Sequence, residues 1–580
     1  MTRGLLRVAR AIVLVMYFNA CTSLDTSSIP TDPAVILKGE SAFVRNCSGC
    51  HNFRQDGIGP QLGGLTAHVS AAWIGRFIRD PQTLMASGDR RAKRLLGTYR
   101  APMPSFAALT DEEMTGIVAF MHTQKAPAPH IATTPAKPLT DPIPDTIRHS
   151  HLVVALQLVT QLPASSDSGK LPLTRITKLD FEPQTGRAFV LDLRGRLYQL
   201  QRNKPVVYMN MAKLKPRFIH EPGLATGFGS VAFHPAFSGN GILYTTHTES
   251  PGSGKADFGF ADSIKVTVQW VLTEWKTTNP SAAAFSGTSR ELLRVNMVTG
   301  IHGVQEITFN PLSTPGDEDY GLLYIGVGDG GSVENGYSRL AHSTDKIWGT
   351  ILRIDPLGRN SANRQYGIPS RNPFVGVGNA LGEIYAYGFR NPHRITWAKS
   401  GEMLAPNIGH GNIESINLIL PGHDYGWPIR EGTFVLDPYG DLNKVYPLPA
   451  NDSLYGVTYP VAQYDHDGRV AAVSGGFEYW GTAIPDLAGK YFFGDIPSGR
   501  LFYLNLADVK SGRRAPINEW RVSVNGAQTT LAELCGTDRV DLHFGRDKKG
   551  ELYILTKPDG KVYKLVSAAI TSDVQVKTPE

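Results

Sequence analysis

The sequence predicts two folded parts, a small all-α domain followed by a large all-β domain built as a six-bladed propeller. Hydrophobic residues make up 41% and charged residues 19% of the 580 residues, a composition too apolar for a disordered chain. The 60 glycines and 39 prolines interrupt the chain too often for a helical protein and favour short strands joined by turns. A helical pattern covers residues 33–125, and strand-like phrases recur beyond residue 150.

The first 21 residues are typical of an export signal. Arg3, Arg7 and Arg10 precede an apolar run over 11–18, which is too short to span a bilayer. Cys21 follows a small residue, as at a bacterial lipoprotein cleavage site. Two interpretations stay open, a lipid-modified Cys21 or a cleaved secretory peptide with an incidental cysteine. Both predict a periplasmic protein, with any membrane attachment only through a lipid on Cys21.

Residues 33–125 are expected to fold as a helical domain. Asp32 and Pro33 form an N-cap followed by a first-turn proline. The stretch 110–113, Thr-Asp-Glu-Glu, is a capping box before a second helix. The following segment, 126–150, is rich in proline, alanine and threonine, so we expect an extended linker there.

The segment 151–570 is expected to form the propeller. Related phrases that each precede a turn and a second strand lie at 179–183, 231–235, 307–311 and 542–547, with weaker copies at 395–397 and 475–479. Six units of about 70 residues exceed the size of a plain propeller blade, so long loops and a site on them are expected. The alternative is an open β-sandwich array in which the phrases repeat by chance.

A haem-attachment motif lies at the start of the helical domain. Cys47, Cys50 and His51 form C-x-x-C-H, in which two thiols add to haem vinyl groups and the histidine binds iron. The further ligands of a zinc site and the fold context of a thioredoxin motif are both missing. Met103, on a proline-flanked loop, is the predicted sixth iron ligand. Other candidates are Met85, Met114, Met121, His68 and His122.

With this motif, residues 33–125 resemble a class I cytochrome c. Gly39 and Phe43 lead into the motif, and Met103 follows late in the segment. The resemblance implies a one-electron carrier with covalent haem c, and ligation by histidine and methionine raises its potential. A carrier fused to a larger domain indicates that the larger domain supplies electrons.

Four residues of the larger domain are candidates for oxidation chemistry. His302 and Asp329 fall at the ends of neighbouring predicted strands, where a carboxylate would orient the imidazole and raise its basicity. Arg390 and Asn391 place a bidentate guanidinium beside an amide, a pair suited to carboxylates. On spacing alone, a turn histidine, a turn aspartate and a surface ion pair remain alternatives.

Several phrases in order resemble the soluble pyrroloquinoline quinone (PQQ) glucose dehydrogenases and the wider glucose/sorbosone and aldose sugar dehydrogenases. They are 231–235, 325–329, 388–392, 416–419 and 425–428. The resemblance implies that His302 is the general base, that Asp329 orients it, and that Arg390 and Asn391 hold PQQ. It also implies a calcium ion at Gly409 and His410, and a cofactor role for Arg539.

The chain departs from that family at four places, one of which is 459–467, where the family's aromatic lid residues are not recognisable. No lysine lies in 496–500, where the glucose enzymes place one against the quinone. Gly409-His410 replaces a Gly-Pro pair, and Ala225 falls where a substrate-contacting glutamine is expected. A different sugar or another alcohol is therefore the expected substrate.

The sequence thus predicts a periplasmic dehydrogenase that oxidises a sugar or other alcohol with PQQ and Ca²⁺ and reduces its own haem. A downstream cytochrome or respiratory chain would accept the electrons. The net charge of +6 has no basic block, so nucleic acid is not an expected partner. The alternative is a haem-tagged propeller without catalysis that binds glycan or protein.

Overall fold

A computed structural model describes residues 29–48, 50–56, 59–99, 103–126, 136–145, 147–166, 171–221 and 225–570. The predicted export signal at 1–21, including Cys21, lies outside these residues. The described part has a small helical domain followed by a β-propeller, which confirms the predicted fold class. No helix within it combines the length and the apolar character needed to span a membrane.

The helical domain begins and ends with the predicted caps. The Asp32 carboxylate accepts a hydrogen bond of 2.7 Å from the Ala34 N–H, with Pro33 as the first helical residue. The Thr110–Glu113 capping box is formed in both directions. The helices are α1 (Pro33–Asn46), α2 (Ala71–Arg79), α3 (Pro81–Ala86), α4 (Arg90–Tyr99) and α5 (Asp111–Thr123), with a 3₁₀ turn at Leu65–Ala67.

Helices α1 and α5 cross at a pair of glycines. A Cβ added at Gly39 would lie 1.8 Å from the carbonyl oxygen of Gly116, so the two backbones approach too closely for any side chain. The crossing brings Phe43 of α1 and Ile117 of α5 into one buried cluster. This glycine contact fixes the relative position of the two helices that flank the haem motif.

The propeller has six four-stranded blades. Their strands are, for blade 1, Ile176–Phe181, Ala188–Asp192, Arg196–Gln201 and Lys204–Asn210; for blade 2, Phe228–Phe233, Ile242–Glu249, Val268–Thr277 and Gly287–Met297; for blade 3, Glu306–Phe309, Leu323–Val327, Thr350–Ile354 and Ile384–Tyr387; for blade 4, Thr396–Trp397, Met403–Asn407, Ile413–Ile419 and Ala462–Asp465; for blade 5, Val473–Glu478, Lys490–Asp495, Leu501–Asn505 and Asn518–Val524; for blade 6, Leu542–Arg546, Leu552–Thr556, Lys561–Ile570 and Arg148–Gln161. The six repeated phrases fall on the first strand of each blade. Those first strands pack against one another around the central axis.

Smaller elements lie in the loops between these strands. They are the short helices Met211–Leu214, Phe237–Asn240, Ser338–Ala341 and Leu531–Cys535, the 3₁₀ turns Asp452–Tyr455, Pro485–Leu487 and Leu506–Asp508, the added strand Ala527–Thr529, and a three-stranded sheet of Arg430–Glu431, Phe434–Leu436 and Val445–Tyr446.

Blade 6 closes the ring with strands from both ends of the propeller sequence. Its outer strand, Arg148–Gln161, pairs antiparallel with Lys561–Ile570. The same strand pairs in parallel with Asn518–Val524 of blade 5, so these two blades form one continuous sheet. The closing strand begins at Arg148, within the segment expected to be linker.

Charged side chains join three blades at the axis. The Lys178 ammonium of blade 1 donates hydrogen bonds to Glu306 Oε1 of blade 3 at 3.0 Å and to Ser230 Oγ of blade 2 at 3.1 Å. Arg394, just before blade 4, donates to the other Glu306 oxygen and to the Thr177 carbonyl. These buried ions are paired, which is the condition for keeping charge in a core.

The helical domain contacts the propeller directly. Glu40 of α1 forms an ion pair of 2.9 Å with Lys265 of blade 2. A Cβ added at Gly336 would lie 2.5 Å from the guanidinium carbon of Arg54, which follows the haem motif. Within the described part of the linker, the Ile143 N–H donates to the Asp465 carboxylate of blade 4 at 3.2 Å.

Candidate functional site

The haem motif forms a tight turn at the end of α1. The Cys50 and His51 N–H groups both donate to the Cys47 carbonyl at 3.0 Å, and neither cysteine forms a disulfide. The His51 Nδ1 lies 2.8 Å from the Pro60 carbonyl oxygen, which makes Nδ1 the protonated nitrogen. The lone pair on Nε2 is therefore available for iron.

A cavity in the helical domain fits a haem. It has about 1240 Å³ of empty space, part of it open to solvent, and its walls are largely apolar. Met103 is part of its lining, together with Met85 and Met121, so Met103 remains the predicted sixth ligand. His122 contacts Thr66 Oγ1 at 2.9 Å instead. The residues that line the cavity and matter for haem are Cys47, Cys50, His51, Met85, Arg91, Tyr99, Met103 and Met121.

His302 and Asp329 form a buried pair at one edge of blade 3. His302 precedes the first strand of the blade, and Asp329 follows the second. The His302 Nδ1–H donates to Asp329 Oδ1 at 2.9 Å. His302 has φ +49°, a left-handed conformation that a non-glycine residue rarely adopts. The Nε2 of His302 makes no hydrogen bond with any described residue. The pair therefore presents an unprotonated nitrogen, as a general base requires.

Two further donors hold the Asp329 carboxylate. The Gly331 N–H donates to Oδ1 at 2.9 Å, and the Trp427 indole N–H donates to Oδ2 at 3.0 Å. Burial and the nearby Arg390 lower the pKa of His302, and the hydrogen bond to Asp329 only partly opposes them. His302 is therefore neutral at neutral pH.

Arg390 lies beside this pair, but both terminal nitrogens of its guanidinium already donate hydrogen bonds to other residues of the chain. One terminal nitrogen donates to Glu334 Oε1 at 2.6 Å and the other to the Gly409 carbonyl at 2.5 Å. Of the three guanidinium nitrogens, Nε alone is buried without a hydrogen-bond partner among the described residues. The Asn391 side-chain amide makes no hydrogen bond to a described residue, whereas its backbone N–H donates to Asn407.

The loop at Gly409 and His410 does not fit the expected calcium ion. The Gly409 carbonyl accepts from the Arg390 guanidinium, a cation that would repel calcium. The backbone N–H groups of His410, Gly411, Asn412 and Ile413 all donate to Glu431 Oε1, at 2.7 to 3.3 Å. The loop thus presents donors to an anion, whereas calcium needs oxygen ligands. In the described part of the chain, no group of three or more acidic, histidine or cysteine side chains could hold a metal.

Arg539 lies at the edge of a second charged cluster. It is half exposed and forms an ion pair of 3.0 Å with Asp541. Lys557, His393 and His543 belong to the same cluster. Desolvation lowers the pKa of Lys557 to about 8, and the nearby arginines add to the shift. Positive charge predominates in this cluster, which suits an anionic cofactor such as PQQ.

The haem motif faces these propeller residues. Burial raises the pKa of the Cys50 thiol to about 11; the positive charge of Arg539 opposes this shift, and the negative charge of Glu334 adds to it. Cys50 thus lies within electrostatic reach of both propeller residues, and Glu334 is itself bonded to Arg390. Together with the approach of Arg54 to Gly336, this places the haem attachment point on the side of the helical domain nearest Glu334 and Arg539.

Five residues of these clusters carry no role predicted from the sequence: Glu334, Trp427, Lys557, His393 and His543. Trp427 stood within one of the phrases that carried the resemblance, although its bond to Asp329 spans 98 positions in sequence. Lys557 and Glu334 stand in glycine-containing turns, where charged residues are common, so their local sequence carries no signal.

Comparison with known proteins agrees with this architecture. The family model described as Glucose / Sorbosone dehydrogenase matches residues 173–564, and the Cytochrome c model matches residues 36–125. The HIPL1 protein of Arabidopsis thaliana is 25% identical over 387 residues, covering 59% of this chain and 53% of the relative. The aldose sugar dehydrogenase YliI of Escherichia coli is 28% identical over 253 residues, covering 42% and 57%.

Among solved structures, this chain is similar to dehydrogenases at low sequence identity. A crystal structure of glucose dehydrogenase covers 71% of this chain and 99% of its own, with a TM-score of 0.48 and 21% identity. The chain spans about half the length of the first curated relatives it matches. The chain belongs to the glucose/sorbosone dehydrogenase family and carries a cytochrome c domain ahead of its propeller.

Proposed function

We propose that the protein is a periplasmic dehydrogenase that oxidises a sugar or another alcohol with PQQ and passes the electrons to its own haem c. The observation that carries the proposal is the buried His302–Asp329 pair, in which Nδ1 is bonded to the carboxylate and Nε2 bonds to no described residue. The names of relatives such as the aldose sugar dehydrogenase of E. coli also support this class of substrate.

In this proposal His302 removes the proton of the substrate hydroxyl. Because the imidazole is neutral and its Nδ1–H is directed to Asp329, the Nε2 lone pair can accept the proton. The Asp329 carboxylate then stabilises the resulting imidazolium, and Trp427 and Gly331 keep that carboxylate in place. PQQ, when bound, supplies a two-electron acceptor that can release its electrons one at a time.

The haem motif completes the proposed electron path. Electrons leaving the propeller site would enter the haem at the Cys50 side, where Arg539 and Glu334 of the propeller are close. From the haem they would pass to an external cytochrome or respiratory acceptor. The periplasmic location follows from the predicted export signal and from the covalent haem, which is attached outside the cytoplasm.

A direct test uses the full chain with haem attached and PQQ added. Aldoses and simple alcohols are screened for reduction of the haem, followed by its visible absorption. We expect at least one sugar to reduce the haem in the wild type, with a large loss in His302→Ala. His423→Ala is the matched control, because the His423 imidazole is exposed and Thr458, at 2.8 Å, is its one hydrogen-bond partner among the described residues. Absence of PQQ binding and of haem reduction with every substrate would contradict the proposal.

A second candidate is a haem-tagged propeller that binds glycan or protein without catalysis. The observation in its favour is that both terminal nitrogens of Arg390 already donate hydrogen bonds, one to Glu334 and one to the Gly409 carbonyl. They are therefore not available to PQQ. The human Hedgehog-interacting protein is 26% identical over 390 residues, covering 66% of this chain and 49% of that protein. This function predicts binding of an immobilised glycan or protein that is unchanged in His302→Ala.

A further inference from the structure

The propeller residues that meet the helical domain lie in loops on the face that carries His302. Lys265 is in the loop between the second and third strands of blade 2, and Gly336 is in the corresponding loop of blade 3. Asp329, the partner of His302, begins that same blade 3 loop. Because neighbouring strands of a blade are antiparallel, the loops that join second to third strands open on one face of the propeller. The helical domain therefore sits on the face of the proposed base.

The contacts that hold the helical domain there are polar and partly exposed. The Glu40 carboxylate and the Lys265 ammonium are 2.9 Å apart, with 30% and 51% of their side chains exposed. Surface ion pairs of this kind contribute little to stability, and salt weakens them by screening the charges. Arg54, which is also exposed, lies against the Gly336 backbone. Contacts of this type give a weak and salt-dependent attachment.

The two domains share no hydrophobic cluster in the described part of the chain. The apolar cluster of the helical domain runs from Ile29 to Met121 and includes no propeller residue. The clusters of the propeller include no residue before Ile147. An interface between domains that lacks a hydrophobic core favours relative motion of the domains.

The linker is attached to the propeller some distance after it leaves the helical domain. The Leu139 N–H donates to the Val445 carbonyl at 2.9 Å. Thirteen residues separate Lys125 from Leu139 in the sequence, and a chain of that length can span up to about 45 Å. The covalent connection therefore permits the helical domain to leave its position on the propeller.

We propose that the helical domain is a reversible cover of the propeller face, held in place by the Glu40–Lys265 ion pair, and that it alternates between a docked and an undocked position. The docked position keeps the haem attachment point beside the propeller, where the proposed function needs it to receive electrons. The undocked position frees that side of the haem for an external acceptor and opens the face of His302 to substrate. The inference goes beyond the proposed function, because docking requires neither PQQ nor catalysis.

The test is small-angle X-ray scattering of the haem-loaded full chain at low and at high salt, with the radius of gyration as the readout. We expect the radius of gyration of the wild type to rise with salt, because screening weakens the ion pair. Lys265→Glu places a second carboxylate beside Glu40. It should shift the ratio of docked to undocked protein by about threefold to tenfold toward the undocked form and raise the radius of gyration already at low salt.

Two further variants isolate the ion pair. The combination of Glu40→Lys with Lys265→Glu restores a pair of opposite polarity, so its radius of gyration should return to the wild-type value. Lys255→Glu is the matched control. Lys255 is an exposed lysine of the same loop, and it forms no ion pair with a described residue, so the same change of charge should leave the radius of gyration unchanged.

The outcomes separate this inference from the proposed function. A radius of gyration that is the same at every salt concentration and in every variant would show a fixed helical domain and overturn the inference, while the proposed function would stand. A rise in Lys265→Glu that the added Glu40→Lys does not reverse would also overturn it, since the ion pair would then not hold the domain. A chain that docks and undocks as expected but binds no PQQ would support the inference and overturn the proposed function.

Discussion

Replacing Asp329 with asparagine tests whether this carboxylate sets the protonation of His302. The carboxylate accepts hydrogen bonds from His302 Nδ1, the Gly331 N–H and the Trp427 indole. An amide of the same shape has one acceptor oxygen, and its NH₂ group would face at least one N–H donor. His302 can relieve that clash by moving its proton from Nδ1 to Nε2. The nitrogen that should accept the substrate proton is then blocked.

The expected loss follows from the loss of general-base catalysis. Such a base contributes about 10²- to 10⁴-fold to the rate, which corresponds to roughly 3 to 5 kcal/mol of activation free energy. The indole N–H of Trp427 also loses its acceptor, which costs about 1 to 3 kcal/mol of folding free energy. The assay is the rate of haem reduction at saturating substrate, in protein loaded with PQQ.

The matched control is Asp319→Asn in the same blade. The Asp319 carboxylate accepts from Asn310 Nδ2 at 2.8 Å and from the Tyr324 hydroxyl at 2.9 Å, and it does not contact His302. We expect this variant to lose stability with little change in the rate. An Asp329→Asn protein that is folded and reduces its haem within about threefold of the wild-type rate would refute the reasoning.

Four further results are expected. Met103→Ala should lower the haem reduction potential and leave dye-linked sugar oxidation intact, whereas an unchanged potential would assign the ligand to Met85 or Met121. The rate of haem reduction should fall only when the pH drops below the usual histidine pKa of 6.5, because His302 has a lowered pKa and acts as the neutral base. A pH–rate profile in which the rate already falls above pH 6.5 on acidification would contradict this. PQQ retention in dialysis should be the same with EDTA as with added Ca²⁺, and a calcium requirement would show that the Gly409 loop rearranges. Gly39→Ala should destabilise the helical domain by about 1 to 3 kcal/mol, because a Cβ there would clash with Gly116. The haem absorption should then change at a lower temperature than in the wild type, while the propeller unfolds as before. An unchanged melting temperature of the haem absorption would argue against the tight crossing.

Local patterns in the sequence predicted the elements that local forces determine. The Asp32 N-cap and the Thr110–Glu113 capping box depend on residues within one turn, and both are formed. The six repeated phrases mark the first strand of each blade because each phrase combines a short apolar run with a following turn. The His302–Asp329 pair was also predictable, because His302 precedes the first strand of blade 3 and Asp329 follows the antiparallel second strand, at the same edge of the sheet.

The loop at Gly409 shows why the remainder was not predictable. Its phrase indicated carbonyl ligands for calcium. Glu431, which lies on a separate three-stranded sheet, instead accepts hydrogen bonds from the backbone N–H groups of the loop. Glu334 likewise reaches Arg390 across 56 positions in sequence. Such contacts depend on the assembled propeller and leave no periodic signal.

The central claim is that oxidation in the propeller reduces the haem of the same chain. The most direct test is stopped-flow mixing of PQQ-loaded protein with its sugar substrate, at several protein concentrations, with the haem absorption followed in time. Transfer within one chain predicts a first-order reduction whose rate constant does not change with protein concentration. A rate constant that rises in proportion to protein concentration would show transfer between molecules, and haem that stays oxidised while sugar is consumed would contradict the relay altogether.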